Sequence, residues 1–255
     1  MIYLLLTWLA APLLWWRAMG RENVKTNRIL VIQTAKIGDF VATTPVFRAL
    51  KNHFPESEIV ALLHSVNLPL ATGLSSINRV ITLPSNGFKG WAGKRWLLEQ
   101  LTEGYDAVVV LSPNLTTLLA PFWAAIPKRV SVLPDRRQGS TRLAWPFLTH
   151  GETHQNDRLF RETALRSLVG LDIAIEDNLL TLPNEIAYCA TGEAKRAALL
   201  EGRYGPFVGL GLGAGNRMKA LELAQLTELA AQIINRTSST LILIGTVADQ
   251  ASAVK

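Results

Sequence analysis

Short runs of apolar residues alternate with longer amphipathic segments along most of the chain. The runs rich in Val, Ile and Leu predict buried strands at 28–33, 58–64, 79–83, 106–112 and 128–133. Apolar positions at helical spacing predict helices near 45–54, 91–103 and 114–124, and a longer helix over 154–170 that ends at Gly170. Solid apolar strands separated by helices are typical of a parallel sheet covered on both faces. The pattern therefore predicts an α/β fold.

The strand and helix pattern returns near the C-terminus, after a segment that interrupts it. From residue 205 the chain reads as strand, glycine-rich loop, helix and strand, and it stops at Lys255. Two strands and one helix cannot bury both faces of a sheet, so this second domain is expected to be incomplete, as in a truncated chain. The predicted organisation is a hydrophobic segment at 1–20, an N-terminal Rossmann-like domain at 21–182, a linker helix at 183–204 and a partial second domain at 205–255.

Residues 1–16 contain no charged side chain, and Arg17 and Arg21 follow them. As a helix this segment would extend about 24 Å, short of the roughly 30 Å hydrocarbon core of a bilayer. Its tryptophans are amphipathic rings of the kind found at the headgroup level. We predict a retained membrane-associating segment, with the arginines keeping the rest of the chain on the cytoplasmic side. An ordinary buried helix and a cleaved signal peptide are the alternatives.

Composition narrows the classes of partner. The formal net charge of +6 favours anionic partners, whereas a charged fraction of 18% is low for a nucleic-acid binder. The single cysteine excludes an internal disulfide bond. The four histidines show no metal-ligand spacing, so no metal site and no cofactor are predicted.

The pair Gly38-Asp39 lies where the first buried strand should turn into a helix. Ligands of open α/β folds bind outside the carboxyl ends of the strands, which places Asp39 at the rim of such a site. Gly38 would permit either a close backbone approach to a ligand or a positive φ. The helix begins either at Pro45, with Thr44 as its cap, or near Asp39 with a kink at Pro45. Asp39 is interpreted as a catalytic base or as an acid favoured by a helix N-terminus.

A glycine-rich loop, GLGLGAGNRMK, follows the first strand of the second domain. Gly213 and Gly215 leave backbone N–H groups free to approach an anion, and Arg217 and Lys219 add positive charge. The loop therefore suits a diphosphate, although a tight turn with solvated basic residues remains the alternative. No acid lies about 20 residues further on at the end of the next strand, which weakens an interpretation as an NAD-linked oxidoreductase.

A cluster of basic residues is the third signal. Lys128, Arg129, Arg136, Arg137 and Arg142 could hold an anionic acceptor, face a membrane or form a plain solvated surface. No aromatic residue lies among them, so the stacking platform expected of a single-strand binder is missing.

Together these motifs resemble glycosyltransferase family 9, the ADP-heptose:lipopolysaccharide heptosyltransferases. The segment RILVIQTAKIGDFVATTPVFRALKNHFPESEI is similar to the family's opening strand, Gly-Asp turn and Thr-Pro helix. The segment VGLGLGAGNRMKALELAQLTELAAQI is similar to its second-domain phosphate loop. The likeness extends over about residues 27–250.

The resemblance implies two Rossmann-like domains in the GT-B arrangement and an inverting, metal-independent transfer of a heptose from an ADP-sugar to the lipopolysaccharide inner core. It assigns Asp39 as the general base and places Lys219 near the donor phosphates, flanked by Asn216 and Arg217. It also implies that the enzyme acts at the cytoplasmic face of the bacterial inner membrane. The family's later nucleotide-holding loop would lie beyond Lys255, so the alternative is a non-catalytic, truncated module that binds a nucleotide or a partner.

Overall fold

The computed structural model describes residues 2–20, 25–134, 140–186, 190–213, 220–246 and 249. The chain divides into two compact units, Met1–Tyr188 and Cys189–Lys255.

The first unit is built on a six-stranded parallel sheet. Its strands are β1 (Arg28–Gln33), β2 (Glu58–Leu63), β3 (Arg79–Thr82), β4 (Ala107–Val110), β5 (Lys128–Leu133) and β6 (His150–Thr153). They are ordered β3-β2-β1-β4-β5-β6, and every neighbouring pair is parallel. This is the strand order of the dinucleotide-binding Rossmann fold. The predicted fold class is confirmed.

Helices cover both faces of this sheet because its central strands are apolar on both sides. The helices of the first unit are α1 (Ile2–Met19), α2 (Ile37–His53), α3 (Leu68–Ala71), α4 (Gly90–Leu101), α5 (Leu115–Trp123), α6 (Phe160–Arg166) and α7 (Asp177–Leu180). Ile29 and Val31 of β1 pack in a core with α2 and α6. Leu30 and Ile32 pack in a second core with α1, α4 and α5.

Strand β6 was not predicted, and the long helix predicted over 154–170 is wrong at its start. His150–Thr153 carries no apolar run, and only its backbone pairing with β5 identifies it as an edge strand. Helix α6 begins at Phe160 and continues as a 3-10 helix over Ser167–Leu171. Gly170 lies within this 3-10 helix. Glycine is required at that position because a Cβ would lie 2.4 Å from the His150 Cβ.

Helix α1 packs against the rest of the first unit through one face. Ala11, Leu14 and Ala18 are buried, and Ala11 and Leu14 belong to the core that contains α4 and α5. The Trp123 Nε1–H donates a hydrogen bond of 2.8 Å to the Thr7 hydroxyl. In the part of the chain that the structure describes, no helix combines the length and apolar character needed to cross a membrane.

The second unit has the predicted strand, loop, helix and strand. It contains α8 (Ala190–Leu200), β7 (Phe207–Gly211), α9 (Leu223–Arg236) and β8 (Thr240–Ile244), with β7 and β8 parallel. Leu243 and Ile244 of β8 are exposed.

Candidate functional site

The strand order of the first unit reverses between β1 and β4. Such a switch point forms a crevice at the carboxyl edge of an open α/β sheet. Thr34 follows β1 and Ser112 follows β4. The Thr34 N–H donates to the Ser112 hydroxyl at 2.8 Å, and the two hydroxyls lie 3.0 Å apart. These bonds hold the two loops together at the crevice.

Asp39 follows this point along the chain, in the first turn of α2. Its side chain is exposed, and among the described residues it has no ion pair or hydrogen-bond partner. Its backbone carbonyl accepts hydrogen bonds from the Gln33 side chain at 3.3 Å and from the Thr43 hydroxyl at 3.0 Å. The backbone is therefore held in place while the carboxylate stays free to accept a proton.

Helix α2 begins at Ile37 and contains Pro45, which confirms the second of the two predicted starts. The alternative with Thr44 as a cap is wrong. Because Pro45 has no N–H, it cannot bond the carbonyl of Val41 one turn earlier. The Thr44 hydroxyl replaces that donor and bonds the Val41 oxygen at 2.8 Å. Thr44 also accepts the Glu185 N–H at 2.7 Å, which ties α2 to the segment after α7.

Gly38 does not have a positive φ, so that part of its prediction is wrong. It lies inside α2, where glycine is about 1 kcal/mol less favourable than alanine. A Cβ at Gly38 would meet no described atom within 4 Å. The fold thus gives no reason for glycine here. Close approach of a ligand stays a prediction.

A cavity of about 480 Å³, named the polar cavity after the polar side chains that line part of it, lies at the carboxyl ends of β1, β2 and β3. Sequence reasoning missed its lining, which includes Thr34, His64, Ser65, Asn86 and Lys89. The signal for these residues is positional, because each lies on a loop that follows a strand of one parallel sheet. Hydroxyl, amide, imidazole and ammonium groups together suit a ligand with hydroxyls and negative charge.

The loop between β1 and α2 is anchored by a buried amide. Asn67 is fully buried, and its Nδ2 donates to the Ala35 carbonyl at 2.8 Å. The Asn67 Oδ1 is buried and has no hydrogen-bond partner among the described residues. Asn67 therefore positions the loop that leads to Asp39, and it is a further residue that sequence reasoning missed.

The glycine-rich loop of the second unit is described only in part. Gly213 is described, whereas the predicted Gly215, Asn216, Arg217 and Lys219 lie outside the described residues. Gly213 lies against the carboxylate of Asp249, because a Cβ there would be 3.1 Å from the Asp249 Oδ1. A backbone hydrogen bond from Thr246 lowers the pKa of Asp249. This acid was not predicted; the Thr-x-x-Asp turn after β8 is its signal in the sequence.

The described members of the basic cluster do not form one surface. Lys128 forms an ion pair with Asp172 at 2.9 Å. Arg129 is buried, and its guanidinium donates to the carbonyls of Phe147 at 2.7 Å and Pro127 at 2.9 Å. Arg142 is exposed, and Arg136 and Arg137 lie outside the described residues. Arg129 is thus a structural residue.

The described residues contain no group of three or more His, Cys, Asp or Glu side chains that could hold a metal ion.

No protein-family model matches the chain. Part of it is similar to lipopolysaccharide heptosyltransferase 2 of Escherichia coli, with 28% identity over 130 residues, which is 48% of this chain and 37% of that protein. A segment of 103 residues is 26% identical to lipooligosaccharide heptosyltransferase 2 of Haemophilus ducreyi, covering 40% of this chain and 30% of that protein. The chain therefore matches about a third of the length of these curated relatives.

Solved structures show the same fold. The structure of E. coli ADP-heptose lipopolysaccharide heptosyltransferase II superposes with a TM-score of 0.62 and 21% identity, over 89% of this chain and 67% of that one. A glycosyl transferase family 9 structure from Veillonella parvula gives a TM-score of 0.67 with 17% identity, over 92% of this chain and 68% of that one. E. coli heptosyltransferase WaaC with ADP gives a TM-score of 0.63 with 14% identity, over 89% and 69%. The resemblance to glycosyltransferase family 9 heptosyltransferases is confirmed.

Proposed function

We propose that this chain carries the acceptor side of a glycosyltransferase that moves a heptose from an ADP-sugar to the inner core of lipopolysaccharide. The observation that carries the proposal is the unpaired Asp39 carboxylate, held by a fixed backbone at the switch point of a Rossmann-like sheet in the part of the chain that the structure describes. The similarity to lipopolysaccharide heptosyltransferases supplies the substrate class. The transfer is proposed to be inverting and metal-independent.

In this proposal Asp39 accepts the proton of an acceptor hydroxyl as its oxygen attacks the anomeric carbon of the donor sugar. The new C–O bond forms as the bond from that carbon to the diphosphate breaks, and ADP leaves with the electron pair. A carboxylate suits this role because it only needs to accept a proton as the hydroxyl becomes acidic along the reaction. The polar cavity lined by Thr34, His64 and Lys89 supplies hydroxyl and cationic partners for the acceptor.

On the donor side, the backbone of Gly213 and Gly215 and the side chains of Asn216, Arg217 and Lys219 are proposed to hold the ADP diphosphate. Positive charge at this position offsets the charge that develops on the leaving group. This assignment rests on the sequence resemblance.

The enzyme is further proposed to work at the cytoplasmic face of the bacterial inner membrane, because its acceptor is a lipid-linked saccharide. The apolar helix α1 and the net charge of +6 support that location.

The test uses Gly38, because glycine is unnecessary there for the fold. Gly38→Ala should leave the free energy of unfolding unchanged or raise it by up to about 1 kcal/mol, since alanine is the better helix former. If acceptor or donor approaches that backbone, the added methyl should lower the rate of heptose transfer to heptose-deficient lipopolysaccharide at least about tenfold. Gly20→Ala is the matched control, because its Cβ would meet only ordinary contacts of 3.9 Å.

Full transfer by Gly38→Ala would contradict a ligand at this backbone. Calorimetric titration with ADP separates the enzyme from a binding module. A chain that binds ADP and transfers heptose supports the proposal, and a chain that binds ADP without transfer contradicts it.

A further inference from the structure

Helix α1 is apolar on the face that packs inward and also on the face that points outward. The inward face buries Ala11, Leu14 and Ala18. The outward face exposes large apolar side chains, and Leu9 is 73% exposed. The members of this outer face are Leu5, Leu9, Leu13 and Trp16. A continuous exposed apolar face of this kind marks an interaction surface in a folded protein.

An apolar pocket of about 260 Å³ opens beside this outer face, between α1, α4 and α5. Leu6 and Trp123 line one part of it, and Trp91 and Leu98 line another. Leu6 lies one turn from Leu9 on α1 and is itself exposed, and Trp91 is 68% exposed. The pocket is therefore open to solvent and adjoins the outer face of α1. Its lining suits a hydrocarbon chain.

The lining of this α1–α4–α5 pocket includes positive charge. Lys94 and Arg95 both line it. The Lys94 ammonium donates to the Gly90 carbonyl at 3.0 Å and lies 4.9 Å from the centre of the Tyr3 ring, which leaves two of its three donors for a ligand. Arg95 forms an exposed ion pair with Glu99 at 2.8 Å.

The surrounding elements share this sign of charge. Helices α1, α4 and α5, with the 3-10 helix Ser140–Phe147 that contacts α1 through Phe147, contain a single acid, Glu99, and all four elements lie within the described part of the chain. The same elements carry Arg17, Lys94, Arg95 and Arg142. A cationic rim around an apolar centre is complementary to an anionic lipid surface. It disfavours a second copy of this chain, because two such rims would repel each other.

We propose that α1 lies in the plane of a membrane and that the α1–α4–α5 pocket takes one acyl chain of an anionic phospholipid, with its phosphate between Lys94 and Arg95. This inference does not depend on glycosyl transfer, because no residue that lines the pocket also lines the polar cavity, and Asp39 does not line the pocket.

The first test is flotation of the 255-residue chain with vesicles of phosphatidylcholine, with and without phosphatidylglycerol. Leu9→Asp should lower the affinity for the vesicles at least about tenfold, because it places a charge on the inserted face. Leu159→Asp is the matched control. That leucine is 61% exposed at the start of α6, away from these elements, and its variant should bind like the unmodified chain.

Lys94→Ala and Arg95→Ala should each lower the affinity for phosphatidylglycerol vesicles about fivefold and leave binding to pure phosphatidylcholine unchanged. Equal binding of the unmodified chain to both kinds of vesicle would contradict the role of the two cations. A concentration-dependent dimer without vesicle binding, dissolved by Leu9→Asp, would assign the outer face to a second copy and overturn the proposal.

The second test reads the pocket itself. Phosphatidylglycerol with brominated acyl chains should quench Trp91, and Trp91→Phe identifies that share of the quenching. Thr116→Phe fills the pocket from α5, so it should reduce the quenching of Trp91 while flotation persists through the outer face of α1. Undiminished quenching in a folded Thr116→Phe variant would show that no acyl chain enters the pocket.

Discussion

Thr44 is the residue whose replacement most directly tests how α2 accommodates an internal proline. It is fully buried and makes two hydrogen bonds, donating to the Val41 carbonyl at 2.8 Å and accepting the Glu185 N–H at 2.7 Å. The first bond replaces the one that Pro45 cannot donate. Thr44→Val keeps the shape of the side chain and removes both bonds.

Each bond contributes about 1 kcal/mol net. Thr44→Val should therefore lower the free energy of unfolding of the first unit by about 2 kcal/mol, which corresponds to a fall in Tm of roughly 4–8 °C for a domain of this size. Thr44→Ser keeps the hydroxyl and loses one methyl group, so it should cost less than about 1 kcal/mol.

Urea unfolding followed by tryptophan fluorescence is the assay, because all seven tryptophans precede Cys189 and report on the first unit. The decisive comparison is in a Pro45→Ala background. There the alanine that replaces the proline supplies a backbone N–H that can bond the Val41 carbonyl, so Thr44→Val should cost only about 1 kcal/mol. An equal cost in both backgrounds would refute the role assigned to the hydroxyl.

Two further variants probe the packing and the ion pairs of the first unit. Gly93→Ala should lower the free energy of unfolding by about 1–3 kcal/mol in the same urea assay, because its Cβ would lie 2.6 Å from the Gly87 carbonyl oxygen; unchanged stability would contradict the close packing of α4. A hydrogen bond from Lys128 lowers the pKa of Asp172 below its ordinary value near 3.8. The contribution of this ion pair to the free energy of unfolding is therefore present above that pH and is lost as pH falls through the lowered pKa. Asp172→Asn, which tolerates the local φ of 65°, should cost less than about 1 kcal/mol at pH 7, and this cost should shrink as the pH falls below 3.8. A cost that stays constant down to the lowest pH at which the protein is folded would contradict the ion pair.

Much of the fold could be predicted from the sequence, because strands buried on both faces leave continuous apolar runs. The predicted runs at 28–33 and 128–133 coincide with β1 and β5. Edge strand β6 left no such signal, since its residues need only backbone pairing with β5. The start of α2 was ambiguous because Pro45 resembles a first helical residue, and only Thr44 in its tertiary setting resolves the choice.

The candidate site divides in a similar way. Gly38 and Asp39 could be found from their place after β1, because topology alone puts that turn at the carboxyl edge. The polar cavity and Asn67 could not, since His64 and Asn67 follow β2 whereas Lys89 follows β3, and only the sheet order brings these two loops to one edge. Sequence likewise could not distinguish a buried, structural Arg129 from an exposed Arg142.

The central claim is that Asp39 removes the acceptor proton, and the most direct measurement is the single-turnover rate of heptose transfer by Asp39→Asn beside its Kd for ADP. The amide keeps the size of the side chain but cannot serve as a base. The rate should fall by about 10²–10⁴ while the Kd for ADP stays within about twofold. A variant that transfers heptose at the normal rate, or that loses ADP binding and transfer to the same extent, would contradict the account.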